Sequence, residues 1–136
     1  KEMSDFTTYL ESRVLDFWLN GNGLSSTSPG TLYVALHTAD PGEAGSANEA
    51  SGSGYARQVI TFGSAATDTA GATSISNDSE PVFGAFTGAL TFTHVSITDA
   101  VTGGNVLFYG DLSSSKTVAN TDSLRFTAGN VSVTLD

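Results

Sequence analysis

Residues able to move a proton, attack a bond or hold a metal are few in this chain. It has two histidines, His37 and His94, and no cysteine. His37 closes an alternating run and stands beside a loop that carries Asp40, Glu43 and Glu49. A metal centre would need at least two more well-placed donors, and the spacing supplies no such set. His37 therefore reads as a strand histidine bonded to solvent, backbone or a carboxylate, and His94 as a bulge or interface residue. Serine is abundant, yet no G-x-S-x-G elbow occurs to hold a nucleophile on a sharp turn beside a base. The acids lie singly in turns and never form the D-x-[DN]-x-[DN]-G series of a calcium loop. Gly52-Ser53-Gly54 precedes a strand rather than a helix and no lysine follows it, so it is not a phosphate loop. Asn77-Asp78-Ser79 and Asn130-Val131-Ser132 match the glycosylation triplet by chance. The expectation is a protein without catalytic residues, cofactor or metal, and not an enzyme.

Charge narrows the partners. Fourteen acids against five bases give a formal charge of −9, which opposes phosphate backbones and anionic lipid surfaces. No nucleic acid and no membrane partner is expected, and no apolar run approaches the roughly 20 residues of a membrane helix. With 39% apolar residues, 136 residues are expected to form one domain, 1–136, around one core.

The elements that would position any site follow from periodicity. Ser4 or Asp5 can cap a helix over 4–20 whose stripe is Phe6, Leu10, Val14, Phe17 and Trp18, ended by Asn20-Gly21. That stripe either covers the sheet or, through Phe17, Trp18 and Leu19, makes a subunit contact. Residues 31–38 alternate Leu32, Val34 and Leu36 against Tyr33, Ala35 and His37, the period of a strand. Asp40-Pro41-Gly42 closes that strand, and a polar loop over 40–54 leads to a second one from Tyr55 through Arg57, Val59 and Thr61. The loop is longer than folding needs, which makes it an expected attachment arm.

Residues 63–80 read as loop with one short edge strand around Ile75. Residues 90–99 change phase, so a bulge is expected near His94. Residues 106–109 read as a central strand covered on both sides, broken at 111–115 before a short strand over 116–118. Residues 123–126 and 131–135 read as a C-terminal hairpin. Seven or eight short strands between Gly, Asn and Asp turns predict an all-β fold. Its expected form is a single β-sandwich, jelly-roll or immunoglobulin-like, with one N-terminal amphipathic helix (31–136 and 4–20) and long loops at 40–54 and 63–80.

The segments FTTYLESRVLDFWLNG, PGTLYVALHTADPGEAG, SGSGYARQVITFG and GGNVLFYGDL, with the terminal SVTLD, resemble a family of small tailed-bacteriophage virion proteins. Its members are described as tail-fibre-like or capsid-decoration proteins. The resemblance covers residues 6–135 and implies an assembly role on the phage particle surface after synthesis in the host cytoplasm. Of its two forms, a capsid decoration (cement) protein that oligomerises on the shell is expected first, because no shaft repeat is visible. Its partners would be further copies of itself and the major capsid protein. The alternative is a tail fibre or receptor-binding module contacting other tail proteins or a host receptor. The candidate interface residues are Phe17, Trp18, Leu19, Pro41, Glu43, Glu49, Tyr55 and Arg57.

Overall fold

The helix begins later than its first capping residues suggest. In the computed structural model, which describes residues 2, 3, 5–21 and 30–135, helix α1 spans Thr8–Asn20 and its cap is Thr7 rather than Ser4 or Asp5. The Thr7 hydroxyl accepts from the Leu10 amide at 3.3 Å and donates to the Val106 carbonyl at 2.6 Å, so one buried side chain both starts the helix and anchors it. Phe6 leaves the helical stripe because its ring packs edge-on against Phe108, at 5.1 Å between centroids, inside a short strand. Gly21, at φ +66°, ends the helix by donating its amide to the Asp16 carbonyl, as the Asn-Gly signal predicts.

Eleven strands are described: β1 (Glu2–Met3), β2 (Asp5–Phe6), β3 (Leu32–His37), β4 (Gln58–Ile60), β5 (Ala66–Thr67), β6 (Thr73–Ser76), β7 (Val82–Gly84), β8 (Leu90–Thr98), β9 (Val106–Val118), β10 (Ser123–Arg125) and β11 (Ser132–Leu135). They form a five-stranded sheet in the order β2-β9-β8-β3-β4, a four-stranded sheet β1-β11-β6-β5 and a ribbon β10-β7. The five-stranded sheet contributes Val34, Leu36, Ile60, Phe92, Val95, Ile97 and Val118 to one core cluster. The other strands and their connections close over it with Phe83, Phe86, Phe126, Val131 and Val133. The fold is an all-β sandwich with one helix.

Register accounts for the awkward stretches of sequence. The phase change in β8 is a bulge between Phe92 and His94, which returns Val95 and Ile97 to the same core as Phe92. Residues 111–115 do not break β9. The strand runs unbroken to Val118 because its pairing with β8 continues through Leu90↔Val118. Residues 63–80 are not a loop with an edge strand: β5 and β6 form a hairpin, and β6 lies inside its sheet between β11 and β5. The Asp68 carboxylate makes that turn by accepting from the Ala70 and Ala72 amides. Nor do β10 and β11 form a hairpin. β10 pairs with β7 and β11 with β6, so residues 126–131 cross from one sheet to the other. Asn77 holds that crossing, donating to the Thr127 carbonyl and accepting from the Val131 amide. Its side chain is thereby buried and bonded, and no glycan could sit on it in the folded chain.

Candidate functional site

The loop over residues 38–57 lies against its own sheet. Strand β4 pairs with β3 only from Leu32 to Val34, which leaves the edge beyond it open. The loop completes that edge: the Ala50 amide donates to the Leu36 carbonyl, the Tyr55 hydroxyl accepts from the Leu36 amide, and the Asn48 carbonyl accepts from the Thr38 amide. An exposed edge is a template for unwanted pairing, and here it is closed from within. Between those contacts the loop crosses to the start of α1, where the Glu43 carbonyl accepts from the Thr8 amide. Gly45 sits where a Cβ would meet Val106 and Thr7, at 2.5 and 3.0 Å, so only glycine lets the loop approach this closely.

A polar cluster ties this loop down. Arg57 Nε donates to Glu49 Oε1 and Arg57 Nη2 to Glu49 Oε2, both at 2.7 Å, a bidentate pair. Arg57 Nη1 reaches Thr98 Oγ1 at 3.2 Å and the Ala100 and Gly103 carbonyls at 2.8 Å. The Tyr55 hydroxyl donates to Glu49 at 2.9 Å, while its ring stacks on Phe83 in the core. One guanidinium therefore joins the loop to the turn between β8 and β9. Asp99 closes that turn by accepting from the Asn105 amide and side chain.

Electrostatics follow from this packing. Burial alone would raise the Glu49 carboxyl, but hydrogen bonds from Arg57 and Tyr55 outweigh it and hold the group below its usual range. The bond to Glu49 is the main reason that Arg57 is pushed up, and burial is the main reason that Tyr55 is. His37 is buried and lowered by that burial. Its Nδ1 lies 2.8 Å from the Ala47 carbonyl and must donate, so Nε2, 2.8 Å from Ser96 Oγ, accepts in the neutral ring. Both ring nitrogens are thus occupied in structural bonds. Among the described residues no group of three or more His, Asp or Glu could hold a metal ion.

The eight candidate residues therefore fall into two groups. Glu49, Tyr55 and Arg57 meet in one internal cluster, Pro41 is buried in the same loop, and Glu43 is exposed with its carboxylate 3.3 Å from the Tyr109 hydroxyl. Phe17, Trp18 and Leu19 lie elsewhere, at the end of α1, where Trp18 and Leu19 are exposed. Sequence reasoning did not find Thr7, Gly45, Thr98 or Asn105 as parts of the loop's support. Asp99 and Asn105, which flank a Gly-Gly turn and bond each other, carry a local signal; Thr7, Gly45 and Thr98 act through contacts with residues far along the chain.

Residues 5–134 match the family model described as Podophage GP4 fiber I protein gp80. The chain belongs to this family. It is a structural protein of the bacteriophage virion, as its sequence resemblance implies. Comparison with curated proteins found no match. Among the described residues of this fibre-family chain, no helix is long and apolar enough to cross a membrane.

Proposed function

We propose that this chain is a non-enzymatic building module of a phage tail fibre, assembled with copies of itself and with other virion proteins. The observation that carries this reading is the family match across nearly the whole chain, whose description is a fibre protein. The geometry supports it. Among the described residues, the buried polar groups of the loop and its strand serve structure, with Glu49 and Arg57 locking the loop and His37 bridging Ala47 and Ser96. Such a loop is preorganised, so presenting Glu43 and its exposed neighbours to a partner costs little ordering entropy. Capsid decoration, expected first from the absence of shaft repeats, has less support, since the family description names a fibre.

Immunogold labelling of intact virions with antibodies against the purified protein tests the proposal. Label at the tail fibres is the expected outcome. Label spread over capsid faces, with purified protein that binds bare capsids and raises their melting temperature by linkage, would replace the fibre reading with decoration.

A further inference from the structure

The tip of the loop, residues 39–47, is built as a unit and attached lightly. The Gly42 amide donates to Asp40 Oδ1, the Gly45 amide to the Gly42 carbonyl, the Ala47 amide to the Pro41 carbonyl and Asn48 Nδ2 to the Asp40 carbonyl. The two ends meet at a neck, where the Thr38 amide donates to the Asn48 carbonyl at 3.0 Å and His37 pairs with Glu49 as an antiparallel bridge. Toward the helix and β9 the bonds are longer: the Thr8 amide reaches the Glu43 carbonyl at 3.4 Å and the Tyr109 hydroxyl reaches Glu43 Oε1 at 3.3 Å. The short attachment runs from His37 Nδ1 to the Ala47 carbonyl, at 2.8 Å.

We infer that residues 39–47 are a flap, hinged at the Thr38–Asn48 neck and latched by neutral His37, which lifts from the sheet in mild acid while the rest of the fold stays closed. The latch works because of where the ring sits. His37 is 1% exposed, held between Ala47 on the loop and Ser96 on β8. The neutral ring gives one proton to Ala47 and takes one from the Ser96 hydroxyl. A second ring proton makes Nε2 a donor facing a hydroxyl that already donates to it, so the fully buried Ser96 must turn its own proton away. The new charge also lacks water, and lifting the flap admits the water that hydrates it.

The surrounding groups do not cancel that cost. His94 stands directly opposite His37 on β8, with Asp111 beyond it on β9 and Tyr109 opposite Ser96. The loop and the segment leading into β4 bring Glu43, Glu49, Tyr55 and Arg57. Burial, the largest effect, holds His37 neutral; the Ala47 bond and the Glu49 carboxylate favour its charge, whereas His94 and Arg57 oppose it. With the flap open the ring regains its ordinary 6.5, so below that pH the open form binds the extra proton and gains by up to about tenfold per pH unit, until the closed ring protonates too. Glu49 is held below 4.5 and stays ionised through mild acid, so its bidentate pair with Arg57 keeps residues 49–57 in place. Lifting the tip takes Gly45 away from Val106 and Thr7, the seat of the helix. The device operates wherever on the virion the chain sits.

Proton and nitrogen NMR on the whole chain between about pH 7.5 and about pH 5.5, on either side of the ordinary histidine value, tests this. At the upper pH the His37 Nδ1 proton is expected as a resolved signal, shielded from exchange by its bond to Ala47. At the lower pH the exchange of the Thr8 amide, corrected for its intrinsic rate, is expected to rise by up to about tenfold, with the amides of the central strand β8 unchanged. His94→Gln is expected to keep that response and His37→Asn to remove it. Circular dichroism at the upper pH reports whether His37→Asn is folded, and the wild-type and His94→Gln measurements stand without it. A Thr8 amide indifferent to pH would overturn the inference, as would β8 amides that open in step with it, a response lost in His94→Gln, or one kept in a folded His37→Asn.

Discussion

Replacing Arg57 with alanine removes five hydrogen bonds made by one side chain that is 9% exposed. The carbonyls lose little, because Thr98 Oγ1 also donates to the Ala100 carbonyl at 2.9 Å and Gly103 is open to water. The cost falls on Glu49, whose carboxylate is left in a partly buried site with Tyr55 as its remaining side-chain donor. Removing one member of a buried ion pair costs about 3–5 kcal/mol. Glu49 is 25% exposed and can be partly rehydrated, which places Arg57→Ala near the lower end, at about 3 kcal/mol. For a chain of this size that is a fall in Tm of roughly 10 °C.

Urea unfolding followed by circular dichroism measures the loss. A double-mutant cycle with Glu49→Gln separates the pair from the rest, and the double variant should be less destabilised than the two singles added together. Hydrogen exchange locates the effect, because the Ala50 and Thr38 amides depend on the loop staying closed. An Arg57→Ala variant within about 0.5 kcal/mol of wild type, the range of ordinary surface substitutions, would refute the clamp. So would unchanged protection at those two amides.

Acid should weaken the fold in two stages. His37 titrates below its ordinary 6.5 in the folded chain, so between the folded and unfolded values the unfolded chain binds more protons. Its contribution is complete above about pH 6.5 and is lost as the pH falls toward the folded value. Glu49, held below 4.5, adds a second loss as the pH falls through its own lowered value. Urea midpoints measured from pH 7.5 to 4 check this, and His37→Asn should flatten the upper part of the curve; an unchanged slope there would exclude His37 as its source. Gly45→Ala should cost roughly 2–4 kcal/mol, since it adds a left-handed β-carbon at φ +70° and presses it to 2.5 Å from Val106 Cγ1. Thermal melts measure it, and a neutral result would mean that the loop does not lie against β9.

Much of the sandwich is written in local pattern. The strand over residues 32–37, the helix stop at Gly21 and the bulge near His94 all come from short-range rules of period and φ, and all three hold, although that strand is buried on both faces from Val34 to His37 rather than on one. The misreadings share one cause. Whether 111–115 continue a strand, and whether β10 meets β11, depends on partners elsewhere in the chain, and polar Ser and Thr on a solvent-facing strand look like loop. The spacing of Phe6 fits the helical stripe, but its ring packs on Phe108 in a strand instead. The loop at 40–54 was legible as unusual in length. That its small residues serve to lie close on the chain's own sheet, and that Glu49 and Arg57 meet, needed the fold.

The first strands carry a mechanical consequence. β1 runs parallel to β11 in one sheet, and two residues later β2 pairs with β9 in the other. Tension applied to this end of the chain is therefore divided between the two sheets before it reaches the helix. Thr7, bonded to the Val106 carbonyl, is the next grip along the line. A virion protein under load gains from this arrangement, because a pull on these first strands is taken up by an edge of each sheet at once.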